Sequence, residues 1–413
     1  MTKININELE ASLRPKEKKL YDQICALLNS GKTVRAYGSG HSNLDYSPIF
    51  NAQSYICMAD YIEEPYLEKN NILVVSPGMS LDEIRKFLAK YNLRLYGTPE
   101  SKSITIGGAI LFGAHNGTGH WDCMAHYVQE MLLIDGKGEA LILKDPQLFI
   151  NYGLLGIVLQ IKIKVFSAIN HKWTHTLFKN IKSFDDIKIT DSTYCLFFGP
   201  YSNRILKADI NLTEKLEKRN LKRLIWDFAL WPLTFTPVAK LVPIITYLIP
   251  QIGIFASEIF TYEPDVIRNK FDYFEPVPKC RTFTLEYAIN IEDLEKAYYK
   301  IMSIISYYRK KGNYVLRFWS RFQKATENVN DLSYNRTTAL VEVTINDKQK
   351  FARQFVNDIS DVLLELGGKP HLAKTVLRVV DLKNYDFKLL QQAIKTFDPK
   401  AIFQNKFTKE FLK

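Results

Sequence analysis

Residues 34–42 read Val-Arg-Ala-Tyr-Gly-Ser-Gly-His-Ser. Val34 and Ala36 are the apolar positions of a short strand that runs into Gly38 and Gly40. Glycine reaches positive φ at little cost, and with no side chain in the way its backbone N–H groups can close on a diphosphate. His41 stands at the tip of the turn with the Ser42 hydroxyl beside it, and Arg35 brings positive charge to the same place. A Gly-Ser-Gly turn alone usually does no more than bend a chain. Here a second glycine-rich segment follows, residues 107–119: Gly-Gly-Ala-Ile-Leu-Phe-Gly-Ala-His-Asn-Gly-Thr-Gly.

Together the two segments resemble the PCMH-type FAD domain of the vanillyl-alcohol oxidase class of flavoproteins. Within that class they are most similar to the sugar-lactone and alditol oxidases (gulonolactone, arabinonolactone and xylitol oxidase-like enzymes). The similarity continues in order along the chain. Tyr152-Gly153-Leu154-Leu155-Gly156-Ile157-Val158 resembles the element that closes the FAD domain. Glu286-Tyr287-Ala288 resembles a Glu-Tyr-Ala strand of the substrate domain, and Lys369-Pro370-His371-Leu372-Ala373-Lys374 an Arg-Pro-His-Trp-Gly-Lys segment. Asp398-Pro399 with Phe403-Gln404-Asn405 follows the family's C-terminal pattern. Two departures stand out. The family's Glu-Val-Arg strand reads Trp319-Ser320-Arg321, and Leu372 replaces a tryptophan, so the substrate is expected to differ from a simple alditol or lactone.

The resemblance implies an α+β protein: a PCMH-type FAD-binding domain, then a substrate domain built on an antiparallel sheet with helices on one face. It implies FAD bound by Arg35, Tyr37, Gly38, Ser39, Gly40, His41, Ser42, Gly107, Gly108, Gly113, His115, Gly117, Thr118, Gly119, Gly156, Ile157 and Asn405. His41 takes the position that carries the flavin covalently through its 8α-methyl group. The domains are expected at 1–168, at 169–368 with an apolar insertion at 224–260, and at 369–413, where the chain returns to the FAD domain.

The 413 residues are too many for one ordinary core and suit two domains. The formal charge of +11 comes from scattered lysines and arginines, which excludes a recognised nucleic-acid motif and leaves anionic lipid as the charged partner to consider. Five cysteines, widely spaced and with no CxxC pair, argue against a disulfide framework or a zinc site and for a reducing compartment. The N-terminal residues lack the apolar run of a signal peptide, so the reading is cytoplasmic. Residues 224–260 are densely apolar but interrupted by Pro232, Pro237, Pro243 and Pro250. A spanning helix needs about 20 uninterrupted apolar residues, so this segment reads as buried helices or as a patch on the inner membrane face.

Helical spacing and end signals predict a helix from Pro15 to Leu28 and another after Ser80, whose capping box pairs it with Glu83. Asp135-Gly136-Lys137-Gly138 reads as a hairpin turn. Farther on the pattern reads strand 282–289, helix 291–311, strand 314–322, strand 339–345 and helix 348–366.

Oxidising an alcohol needs a hydride acceptor, which flavin supplies, and a way to lose the hydroxyl proton. Lys374 and Arg321 are the cations expected at the substrate oxygen, because a buried cation stabilises a developing alkoxide. His371 is expected to take the proton or to order the lysine, and Glu286 to orient Arg321 now that position 319 is tryptophan. No metal is assigned. The substrate reads as a sugar, sugar lactone or polyol, with a lipid-linked sugar or a non-catalytic flavin-binding role as alternatives. The second substrate reads as dioxygen or an electron carrier.

Overall fold

The computed structural model describes residues 2–40, 42, 47–99, 101, 103–115, 123–213, 266–268 and 282–412. The 224–260 segment, His41, Gly117, Thr118 and Gly119 lie outside the described residues. Among the described residues no helix is long and apolar enough to cross a membrane.

The first half of the chain folds around a six-stranded antiparallel sheet in the order Thr2–Lys3, Ala140–Leu143, Val128–Ile134, Ile157–Lys164, Ile72–Val75, Tyr66–Glu68. Strand Ile157–Lys164 shows why the sheet is one-sided. Ile161 and Ile163 are buried, while Lys162 points outward to Glu68 and Glu130 at 3.0 and 3.1 Å. The turn at Asp135–Gly138 joins two antiparallel strands, as its residues predict. Helix Pro15–Leu28 is in place. So is helix Leu81–Ala89, where Ser80 Oγ accepts from the Glu83 amide and Glu83 Oε2 accepts from the Ser80 amide. Leu81, Ile84 and Leu88 bury the inner face of that helix, each stabilising by about 1.5–3 kcal/mol. The strand Val34–Tyr37, which leads into the first glycine loop, pairs in parallel with Ser54–Cys57.

The second half is an eight-stranded sheet in the order Val266–Arg268, Asn170–Lys179, Arg204–Thr213, Thr193–Gly199, Val315–Gln323, Thr338–Asn346, Thr282–Asn290, Lys369–Pro370, with every described pairing antiparallel. Helices Leu294–Lys310 and Ala352–Glu365 cover one face, where Ile301, Ile305, Phe355 and Ile359 pack on Leu285, Tyr287, Phe318 and Val343. A bulge between Val315 and Arg317 lets both Val315 and Phe318 reach that core. Alternation then puts Arg317, Trp319 and Arg321 on the opposite face with Glu286 and Glu342. The strands at 170–179, 193–199 and 204–213 are absent from the expected pattern.

The C-terminal residues pack on the first half. Val34 N donates to Ile402 O at 2.9 Å, and Ile402 and Phe403 join a cluster with Leu20, Ile24 and Ile157. The buried Asp398 accepts from the Ile402 and Phe403 amides at 2.7 and 2.9 Å, and Gly136 N donates to Phe397 O at 2.7 Å. A Cβ on Gly136 would stand 2.6 Å from Asp398 Oδ1 and 3.0 Å from Asp398 Cα. Gly136→Ala must therefore push the returning segment off the hairpin, and a loss of about 1–3 kcal/mol is expected in chemical unfolding. Gly138 has positive φ, but its nearest neighbour to an added Cβ is a leucine methyl at 3.8 Å. Substitution there should cost only the local backbone strain.

Candidate active site

Strand Val34–Tyr37, helix Ile106–Leu111 and the 152–158 segment converge on a cleft enclosing about 600 Å³, part of it open to solvent. Arg35, Tyr37, Gly38, Gly107, Gly108, Gly156 and Ile157 line it, all of them residues the sequence assigns to FAD. Arg35 is buried, and its Nη1 donates to the carbonyls of Tyr152 and Gly153 at 2.7 and 3.1 Å. Its Nε and Nη2 are buried without a hydrogen-bond partner among the described residues. Burial lowers the guanidinium to about 10, so it remains a cation near neutrality. Unsatisfied buried donors on a cation suit an anion, and a diphosphate supplies one.

The glycines are needed here for more than phosphate approach. A Cβ on Gly38 would fall 2.1 Å from Thr105 Oγ1, and one on Gly107 would fall 2.7 Å from Pro77 Cβ. The first glycine loop thus packs directly on the residue that caps helix Ile106–Leu111, and that helix's Gly107 packs on the Pro77 turn. Gly40 turns with φ of 66° into space where an added Cβ meets nothing within 4 Å. A donor-bearing, glycine-walled cleft of this kind fits the dinucleotide.

Beyond this cleft lies a buried cluster of charge. Glu286 and Glu342 face each other directly across adjacent strands, and both are 1% exposed. Arg321 donates to Glu286 Oε2 and stands 3.6 Å from Glu342 Oε2. Arg317 donates to Glu342 Oε1, and Lys374 Nζ donates to Glu342 Oε2 at 3.2 Å. His115, from the second glycine segment, sits with Nε2 2.9 Å from Glu286 Oε1. Burial pushes the Glu286 carboxyl upward, but Arg321 and His115 outweigh it and hold it well below the usual carboxylate range. Glu342 is buried as well, and there Arg317 and Lys374 outweigh burial to give a lowered value. Burial depresses His115 and takes His371 down to about 3, so both rings are neutral near pH 7.

His371 is fixed by its own backbone. Its N–H donates to Glu286 O at 2.8 Å, and its carbonyl accepts from Lys374 N at 2.9 Å. Its Nδ1 accepts from the Ala373 amide at 3.1 Å, so the neutral ring carries its hydrogen on Nε2. That turns His371 from a proton acceptor at Nδ1 into a donor at Nε2. Its main-chain turn, meanwhile, does order Lys374.

Lys374, Arg321, His371 and Glu286 all meet in this cluster. Glu286 orients Arg321, as position 319 suggests. Six of the expected FAD residues, among those described, do not line the cleft. His115 belongs to the charge cluster, because the chain leaves helix Ile106–Leu111 through Gly113, with φ of 64°, and turns toward the substrate sheet. Gly113 borders a smaller cavity with Phe112, Tyr152 and His371. Asn405 has its amide engaged by the backbone: Nδ2 donates to the carbonyls of Pro48, Ile49 and Asn51, and Oδ1 accepts from the Thr408 amide at 2.9 Å. It caps the last helix and clamps the 48–51 turn. Ser39, Gly40 and Ser42 belong to the same loop as Gly38, beyond the residues that line the cleft.

Sequence reading missed Glu342 and Arg317. A lone acid in Ala339-Leu340-Val341-Glu342-Val343 was the available signal, since a carboxylate inside an apolar strand needs a buried partner. His115, Glu286 and His371 bring possible metal-ligand atoms within 4.8 Å of one another. Arg321 already holds Glu286, and its positive charge opposes a cation there.

The model for the FAD binding domain matches residues 10–144, and that for D-arabinono-1,4-lactone oxidase matches residues 161–411. The chain is 20% identical to L-gulono-1,4-lactone dehydrogenase of Mycobacterium tuberculosis, over 97% of this chain and 96% of the relative. It is 20% identical to L-gulonolactone oxidase of Mus musculus, over 91% and 89%. It is 23% identical to D-arabinono-1,4-lactone oxidase of Kluyveromyces lactis, over 36% and 30%. A solved cholesterol oxidase from B. sterolicum superposes with a TM-score of 0.74 at 12% identity, covering 97% of this chain and 93% of that one, a likeness of fold. The chain is therefore an FAD-dependent enzyme acting on CH–OH groups, and it belongs to the D-arabinono-1,4-lactone oxidase family.

Proposed function

We propose that this enzyme oxidises a hydroxyl-bearing carbon of a sugar lactone or a related sugar or polyol. When bound, FAD supplies the hydride acceptor. The observation that carries the reading is the buried cluster in which three cations, Arg317, Arg321 and Lys374, face two carboxylates. Such a cluster has one positive charge to spare for the oxygen of a reacting hydroxyl. Lys374 is the member best able to meet a substrate, because its side chain is 32% exposed while those of Arg321 and Glu342 are 7% and 1% exposed. Arg321 is locked on Glu286 and supplies a fixed positive field beside it. Charge aimed at a developing oxyanion in a water-poor site acts at the transition state without having to reorganise.

The mycobacterial relative is called a dehydrogenase and the murine one an oxidase. Oxygen uptake, compared with reduction of an artificial dye, identifies the electron acceptor. We also place the flavin on His41 covalently, supported by the sequence pattern around that residue.

Two measurements test these assignments. Anaerobic addition of L-gulono-1,4-lactone or D-arabinono-1,4-lactone should bleach the flavin absorbance, and Lys374→Met should slow that reduction by roughly 10²–10³-fold, as removal of one oxyanion donor does. Absence of bleaching with lactones, simple sugars and polyols alike would overturn the substrate class. Acid precipitation should leave yellow flavin in the protein pellet for wild type and in the supernatant for His41→Ala. Complete release from wild type would show the attachment to be non-covalent.

A further inference from the structure

We propose that Glu342 is a positioning residue for the oxidation, holding the Lys374 ammonium where it meets the reacting hydroxyl and touching no substrate itself. The inference rests on the reading of Lys374 given above.

The lysine backbone is well fixed. Lys374 N donates to His371 O, and the next residue, Thr375, pairs with Thr284 through both N–H and hydroxyl at 2.8 and 2.9 Å. The side chain is a different matter. A four-carbon stem with a strongly hydrated head loses much rotamer freedom when held, and one-third exposure leaves it a route to solvent. The contact that draws the ammonium inward is Glu342 Oε2 at 3.2 Å. The same carboxylate accepts from Arg317 through Oε1 and lies 3.6 Å from Arg321.

Charge balance makes the carboxylate necessary. The charged and titratable groups around Lys374 are Glu342, Glu286, Arg317 and Arg321, with neutral His115 and His371. Without the charge on Glu342, three cations would face Glu286 alone. Arg317 and Arg321 are packed in place, each with its guanidinium carbon 4.6 Å from the Trp319 ring centre, and that ring stacks on Phe197 at 5.2 Å. The lysine is the cation able to leave, and repulsion would drive it outward.

Register explains why the carboxylate comes from this strand. Trp319 and Glu342 are cross-strand partners. The tryptophan fills its own position with an aromatic ring and the partner strand supplies the acid, so the departure at 319 moves the negative charge by one strand.

The test is anaerobic stopped-flow reduction of the flavin-loaded enzyme by L-gulono-1,4-lactone or whichever lactone bleaches wild type, across lactone concentration, for wild type, Lys374→Met, Glu342→Gln and Glu342→Asp. Glu342→Gln should lower the limiting rate of reduction by about 10²-fold through misplacement of the ammonium. Its half-saturating lactone concentration should stay near that of wild type, because the carboxylate touches no substrate. Glu342→Asp keeps the charge but shortens the reach, so its limiting rate should fall less, with half-saturation again unchanged. Slow Lys374→Met beside Glu342→Gln with a wild-type limiting rate would overturn the positioning role alone. Lys374→Met with a wild-type rate would overturn both this inference and the reading beneath it. If Glu342→Gln does not fold, the aspartate variant decides: a slowed limiting rate with unchanged half-saturation supports the role, and a wild-type rate overturns it.

Discussion

Two glutamates side by side on adjacent strands, both cut off from water, are the constraint around which the second half of the chain is arranged. Like charges directly opposite in a sheet repel, and each buried carboxylate loses its hydration. Arg321, Arg317 and Lys374 answer both problems, with His115 adding a hydrogen bond to Glu286. Breaking one such buried pair typically costs about 3–5 kcal/mol because a charge is left uncompensated. The network also fixes register. A one-residue slip of Thr338–Asn346 would turn Glu342 into the helix-covered core among Leu285, Phe318 and Phe355.

The same network ties the two halves of the molecule together. Glu286, Glu342, Arg317 and Arg321 come from three neighbouring strands of the eight-stranded sheet, and Lys374 from the turn after its last strand. His115 arrives from the glycine segment that walls the cleft. Its bond to Glu286 joins residues 171 positions apart. Ser47 makes a similar link, its hydroxyl donating to Leu372 O at 2.7 Å, one residue past His371. The reacting groups are thus set by contacts that exist only when both halves have folded against each other.

Much of this was legible in the chain, and the parts that were not share a cause. Helices Pro15–Leu28 and Leu81–Ala89 announced themselves by apolar spacing and by end signals, and the strands flanking the active cluster by alternation. Thr193–Gly199 is buried at every position, so it offers no alternation to read. Asn170–Lys179 is polar and irregularly buried, with the same result. Among site residues, those marked by a local motif were placed together: Arg35, Gly38, Gly107 and Gly156 do line one cleft. Asn405 shows the limit of motif reading, because its pattern recorded a helix cap and a backbone clamp. Glu342 was invisible for the opposite reason. Its importance lies in strand pairing with Glu286 and Trp319, and pairing between distant segments is not written in the spacing of any one of them.

The arrangement also bears on how the hydroxyl proton is handled. His371 is neutral, but its Nδ1 lone pair is committed to the Ala373 amide, which leaves Nε2 as the hydrogen-bond donor of the ring. His115 has its Nε2 hydrogen directed at Glu286, whose carboxylate stays ionised beside Arg321, and its Nδ1 lone pair is buried without a hydrogen-bond partner among the described residues. Both carboxylates are occupied by cations, and neither has its value raised toward neutrality as a general base would. What the cluster offers a substrate oxygen is therefore chiefly positive charge and donated hydrogen bonds, with His115 Nδ1 left as an uncommitted acceptor. On this reading the chain's contribution is electrostatic: it lowers the cost of an oxygen that gains negative charge as hydride leaves the carbon. The fixed cations then matter more than any single proton acceptor, which is why the geometry of Lys374, rather than the basicity of His371, is the quantity on which turnover should depend.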